Sequence, residues 1–136
     1  MKYLIILGTP PKYRKQLWLL CNNIHSIIQS NHSYYSNLLT LSTIVKTPYS
    51  DQIDKDLKRS KYRDNPSFIE KLRNVLTCYA LRTSSIGYCQ GFSFIAEVIL
   101  NIMINGNENE NDDEQKIEVN YINIIFYIGR NFLDIL

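Results

Sequence analysis

The chain has 136 residues, 45% of them hydrophobic, and 15 Lys and Arg balance 13 Asp and Glu to a net charge of +2. This length suits a single domain with a real core, and the balanced charge argues against a nucleic-acid-binding protein, which needs a clustered basic face. Three widely spaced cysteines, outside any metal-ligand spacing, argue against a disulfide framework or a zinc site and favour a reducing, intracellular setting.

The amino-terminal apolar stretch, residues 3–7, is too short for the core of a signal peptide. The longest apolar run, residues 92–104, is interrupted by Glu97 and Asn101 and is shorter than a membrane span. We therefore expect no transmembrane segment, and any membrane contact should be peripheral or indirect.

The first predicted helix covers residues 12–29, because Pro10 and Pro11 suit a helix start and apolar residues then recur at helical spacing. Residues 31–33, Asn-His-Ser, are interpreted as a break, which leaves a short second helix at best over residues 34–42. Residues 48–52 resemble a turn, and residues 53–59 are expected to form one or two helical turns.

Asn65 and Pro66 form a second helix-start signal, with Asn65 as the cap and Pro66 in the first helical position. The residues that follow, up to Tyr79, show the clearest amphipathic pattern in the chain. Residues 87–104 are apolar nearly all round, which predicts a helix central in its bundle.

The acidic, Asn/Glu-rich residues 105–116 lack periodicity and are predicted to be a disordered loop. Residues 117–136 are expected to form a last helix. Because no segment alternates apolar and polar residues convincingly, the prediction is an all-α fold, an irregular helical bundle made by one domain over residues 1–136.

Two short motifs carry candidate chemistry. Ile53, Asp56 and Arg59 have the spacing I-x-x-D-x-x-R, and Gln90 ends the sequence Tyr88-Cys89-Gln90. An arginine can neutralise charge that develops on a transferring phosphoryl group, and a glutamine amide can orient the attacking water. These are the two groups that a slow GTPase needs supplied or ordered. Taken singly, each side chain would be an ordinary solvated one.

The neighbours of these residues have predicted supporting roles. Asp56 precedes Arg59 by three positions, so on a helix the two side chains can pair and hold Arg59 in a ready rotamer. Gly87 and Gly91 bracket the second motif and permit a close backbone approach or an unusual φ. Tyr88 is expected to be packed, with its hydroxyl fixing the turn that aims Gln90.

Four sequence blocks, in order, resemble the TBC domain of the Rab GTPase-activating protein family. They correspond to its opening G-I-P-x-x-x-R-x-x-x-W block, its I-x-x-D-x-x-R motif, its L-x-x-V-L-x-x-Y helix and its I-G-Y-x-Q-G motif with a following F-I-A. In this chain the blocks are Gly8-Thr9-Pro10 with Arg14 and Trp18, then Ile53 to Arg59, Leu72 to Tyr79, and Ile86 to Gly91 with Phe94 to Ala96. The resemblance covers the amino-terminal part of the family domain, and the family's carboxy-terminal helical half has no counterpart.

The resemblance implies an all-helical protein that is not itself an enzyme but stimulates GTP hydrolysis by a Rab protein. Carried over by motif, Arg59 is the arginine finger and Gln90 the glutamine finger. GTP and Mg²⁺ would belong to the Rab, so the chain needs no cofactor of its own, which agrees with its lack of a Gly-rich phosphate loop. A cytoplasmic role in vesicle traffic, peripheral on endomembranes through the GTPase, follows from the family.

Two other interpretations remain open: a non-catalytic half-domain that binds a Rab or another helical partner, and a structural helical domain. The finger mechanism requires Arg59 and Gln90 to be exposed on one face. We further expect Trp18 in the core, Arg14 to be buried and structural, and Cys89 to be a small buried residue rather than a reactive thiol.

Overall fold

A computed structural model of the chain describes residues 8–21, 24–83 and 86–105. Within these ranges the chain forms helices and no strand, which confirms the all-α prediction. No helix in them is long and apolar enough to cross a bilayer. The described helices are α1 (Pro11–Cys21), α2 (Ile24–Ile44), α3 (Ser50–Leu57), α4 (Pro66–Arg82) and α5 (Phe92–Asn105).

The amino-terminal helices differ from the prediction. Instead of one helix over residues 12–29, α1 ends at Cys21 and α2 begins at Ile24. The predicted break at residues 31–33 is wrong, because α2 continues through it as regular helix. Asn, His and Ser are only a few tenths of a kcal/mol less favourable in a helix than Ala, so the packing of α2 along α4 outweighs them.

The helix start predicted at Asn65 and Pro66 is confirmed. The Asn65 side chain accepts a 3.1 Å hydrogen bond from the Phe68 N–H, and Pro66 occupies the first turn of α4. The face of α4 that carries Leu72, Val75 and Leu76 is fully buried. Because α4 packs against α2, α3 and α5, it forms the centre of the described bundle.

Among the described helices α5 is not the central one, contrary to the prediction. Its buried face, with Ile99, Leu100 and Met103, packs toward α1, α3 and α4. The opposite face exposes Phe94 and Val98 to 57% and 50%, because none of the described helices covers it. Asn105 closes α5 rather than opening a loop, and the rest of the predicted acidic loop and the last predicted helix lie outside the described residues.

Trp18 is partly buried against the core, in line with the prediction. The expectation for Arg14 is wrong, because the residue is exposed on α1 and its Nε donates to the Thr9 carbonyl at 3.0 Å. The charged head of an arginine on the surface stays in water, and the Thr9 carbonyl satisfies its Nε donor without burial.

Candidate functional site

Arg59 lies in the turn that follows α3, two residues after the helix ends at Leu57, whereas the prediction placed it on the helix. The helix ends at Leu57, and the Arg59 N–H donates a 3.0 Å hydrogen bond to the Asp56 carbonyl, which tightens the chain at that point. The Arg59 side chain is 62% exposed. Four residues further on, Arg63 is also exposed, but it lies 3.8 Å from the exposed Asp64.

Asp56 contacts the guanidinium of Arg59. The Asp56 side chain is only 4% exposed, and its Oδ1 lies 3.5 Å from Nη1 of Arg59. The same oxygen accepts a 3.2 Å hydrogen bond from the Gln52 amide. An ion pair with one exposed member adds little to folding stability.

The second motif reaches the same carboxylate. The buried Tyr88 donates its hydroxyl to Oδ2 of Asp56 at 2.8 Å. Burial is the main cause of the raised pKa of Tyr88; a hydrogen bond with Ser93 lowers the pKa, and the hydrogen bond with Asp56 raises it again. The phenol therefore keeps its proton at neutral pH and acts as a donor.

The turn before α5 depends on glycine at two positions. Gly87 has φ +67° and Gly91 has φ +89°, a region that L side chains rarely adopt. At Gly87 any Cβ would also overlap the ring of Tyr49, which lies directly against the backbone. Both alternatives raised for these glycines, a close approach and an unusual φ, are therefore realised.

Gln90 lies at the tip of this turn and is exposed. The turn is closed by a 3.1 Å hydrogen bond from the Phe92 N–H to the Cys89 carbonyl. The expectation that Cys89 is buried is wrong, because it is exposed beside Gln90. In a tight turn, successive side chains point outward, and only Tyr88 is turned into the core.

Ile53 anchors the helix that carries Asp56. It is 1% exposed and belongs to the main apolar core, and its N–H begins the helical hydrogen bonds of α3 by donating to the Tyr49 carbonyl at 2.9 Å. Burial of an isoleucine on one face of so short a helix fixes the rotation of α3, which turns Asp56 toward Tyr88.

A family model, the Rab-GTPase-TBC domain, matches residues 11–126 of the chain. The chain belongs to this family. The TBC match spans both candidate motifs and every described helix.

Among curated proteins, the TBC chain is 34% identical over 109 residues to TBC1 domain family member 2B of Xenopus tropicalis, and 33% identical to the mouse and human proteins of that name. Each match covers 74% of this chain but only 11–12% of the relative. No solved structure matches the chain significantly.

Two polar pairs of this TBC domain were missed by sequence reasoning. Ser60 donates a 2.6 Å hydrogen bond to Oε2 of the buried Glu97, and the Tyr62 hydroxyl donates to Oδ1 of Asn101. The available signal was the spacing of Glu97 and Asn101, four apart in an otherwise apolar helix, which places two polar groups on one face. Their partners lie 37 and 39 positions away, so the sequence could not name them.

Taken together, the contacts of Asp56 bring the segment that carries Arg59 next to the turn that carries Gln90. The described part of the chain contains no cluster of His, Cys, Asp or Glu able to hold a metal ion. The arrangement can present one fixed cation and one neutral amide to a molecule outside the chain.

Proposed function

We propose that the chain activates a Rab-type GTPase by supplying Arg59 and Gln90 in trans to GTP held by that GTPase. The observation that carries the proposal is the shared carboxylate of Asp56, which pairs with Arg59 and accepts from Tyr88 while both Arg59 and Gln90 stay exposed. The family membership supports the same activity.

Arg59 would stabilise the charge that develops on the transferring γ-phosphoryl group. A guanidinium is planar and permanently charged, so it can bind two phosphate oxygens at once, which a lysine cannot do. Arginine fingers raise hydrolysis rates by roughly a thousand- to a hundred-thousandfold, which corresponds to about 4–7 kcal/mol of barrier.

Gln90 would orient the attacking water. Its amide offers an acceptor for a water proton and a donor for a phosphate oxygen on the same planar group. The chain would hold no cofactor of its own, since GTP and Mg²⁺ would be bound by the GTPase. Its role would be in vesicle-mediated and intracellular protein transport, in the cytoplasm, and it would reach endomembranes only through the GTPase.

The test is single-turnover GTP hydrolysis by a panel of Rab proteins, with and without the chain. Arg59→Ala and Arg59→Lys should each abolish the acceleration, and Gln90→Ala should lower it strongly. Arg63→Ala is the matched control, since it removes an exposed guanidinium four residues away. It should leave the acceleration unchanged.

If no Rab is accelerated by the folded chain, the finger mechanism is wrong. If a GTP-loaded Rab binds the wild-type and the Arg59→Ala chains equally well, and neither chain accelerates hydrolysis, the chain is a non-catalytic binding half-domain instead.

A further inference from the structure

Glu97 is a buried carboxylate on a face of α5 that is otherwise apolar or small. It is 6% exposed, next to Ala96, Ile99 and Leu100 in the core. Burial of a carboxylate is costly unless hydrogen bonds replace its water. Its described partner is the hydroxyl of Ser60, at 2.6 Å from Oε2.

Ser60 is the residue directly after Arg59, and it too is buried. Its hydroxyl donates to Glu97 and accepts a 3.0 Å hydrogen bond from the Tyr62 N–H. Because one hydroxyl is used in both directions, its orientation is fixed. The backbone directly after Arg59 is therefore held against α5 through Ser60.

A second contact fastens the same segment one helical turn further along α5. The hydroxyl of Tyr62 donates to Oδ1 of Asn101, and the ring of Tyr62 stacks on Phe68 with centroids 4.0 Å apart. The segment is thus held at two levels of α5, and α5 begins two residues after Gln90. One helix is the common support of both candidate fingers.

We propose that Glu97 is a positioning residue that acts through Ser60 to fix the backbone of Arg59 relative to Gln90. The expected effect on catalysis rests on the proposed function. The expected effect on the position of the chain directly after Arg59 rests on the hydrogen-bond geometry alone. A displacement of about 1 Å at a catalytic group can lower a rate by up to a hundredfold, so a fixed backbone at this point matters.

The catalytic test uses the full chain and a Rab that the wild-type chain accelerates. Glu97→Ala removes the acceptor and should lower the rate at saturating chain by roughly ten- to a hundredfold, with little change in the concentration for half-saturation. Glu97→Gln keeps an acceptor oxygen in the same place and should recover most of the rate. Glu70→Ala, at an exposed glutamate on α4, is the control and should behave as wild type.

The proposal also requires that the effect passes through Ser60, whose hydroxyl donates to Glu97. In a Ser60→Ala background, Glu97→Ala should therefore cause no further loss of rate, whereas a separate catalytic or purely destabilising effect would add to the loss. An additive loss, or a wild-type rate in Glu97→Ala alone, would overturn the proposal.

A second readout needs no GTPase. The rate of tryptic cleavage after Arg59 and Lys61 should rise in Glu97→Ala relative to cleavage after Arg82, and Glu70→Ala should leave the ratio unchanged. The core variant Ile99→Val weakens the whole fold, so it should raise cleavage at all sites without changing the ratio. An unchanged ratio in Glu97→Ala would overturn the proposal even if no Rab responds to the chain, and a raised ratio would support it in that case too.

Discussion

The hydroxyl of Tyr88 donates a 2.8 Å hydrogen bond to the buried carboxylate of Asp56, 32 positions earlier in the chain. This contact joins the two candidate motifs. Both groups are almost fully buried, so the bond is shielded from competing water. It should therefore contribute both to folding and to the geometry of the site.

Tyr88→Phe removes the donor and leaves Oδ2 of Asp56 buried without it. We expect a loss of about 1–3 kcal/mol in the free energy of unfolding, because an unsatisfied buried acceptor loses its solvation without compensation. Urea denaturation followed by circular dichroism measures this loss. Tyr13→Phe removes an exposed hydroxyl and should change the stability little. Equal stabilities of the Tyr88 and Tyr13 variants would contradict the expectation.

The raised pKa of Tyr88 predicts a loss of stability in alkali. Below about pH 10, the usual pKa of tyrosine, both the folded and the unfolded chain keep the phenol proton, and the contribution of Tyr88 to stability is fully present. Above that pH the unfolded chain loses the proton while the folded chain keeps it, so the free energy of unfolding falls until the folded pKa is reached.

The stability difference between wild type and Tyr88→Phe should therefore shrink as the pH rises from about 8 to 11. Urea midpoints at the two pH values measure it. The pKa of Tyr79 is also raised by burial, and its share of the alkaline loss remains in the variant. A difference that stays constant with pH would show that Tyr88 does not titrate differently in the two states.

Asp56→Asn keeps the shape of the side chain but removes its charge. We expect the acceleration of a responsive Rab at saturating chain to fall about tenfold, because Arg59 loses the carboxylate that orients it. A tenfold loss corresponds to about 1.4 kcal/mol in the activation free energy. Single-turnover hydrolysis measures the change. Asp54→Asn is the matched control on the same helix. Asp54 pairs with Arg73 at 2.9 Å, away from Arg59, so this variant should keep the full rate.

An unchanged rate in Asp56→Asn would remove the orienting role of Asp56, whatever the outcome for Arg59 itself.

Gly87→Ala should be more harmful than Gly91→Ala. Both positions have positive φ, which costs a side-chain-bearing residue about 1–3 kcal/mol. Only at Gly87 would the added methyl also overlap Tyr49, whereas at Gly91 it meets open space. Denaturation midpoints of the two variants isolate the clash. The double variant Gly87→Ala with Tyr49→Ala should lose less stability than the sum of the single variants, and strict additivity would contradict the proposed contact.

Local signals predicted part of this fold well. Asn65 and Pro66 mark the start of α4 because a cap and a first-turn proline act within one helical turn. The Asp56–Arg59 contact was also predictable, since three positions along the chain determine it. The same local reasoning placed a break at residues 31–33, where long-range packing of α2 on α4 keeps the helix intact.

Contacts between distant segments could not be predicted from the sequence. Neither Tyr88 with Asp56 nor Ser60 with Glu97 could be paired without knowing how α3 and α5 pack together. The exposure of Cys89 depends on the direction of the turn around it, which is set by the positive φ of Gly87 and Gly91. Apolar character alone also failed for α5, because it cannot tell which side of a helix has a neighbour.

The two oxygens of Asp56 have different partners, and this affects how Arg59 can move. A guanidinium that turns away toward a phosphate gives up Oδ1, but the Gln52 amide stays on that oxygen and the Tyr88 hydroxyl stays on Oδ2. Both oxygens of the buried Asp56 side chain therefore keep a hydrogen-bond donor, so release of Arg59 would leave no buried acceptor unsatisfied. Because Gln52 and Tyr88 stay bound to Asp56, Arg59 can leave the carboxylate without disrupting the hydrogen bonds that hold it.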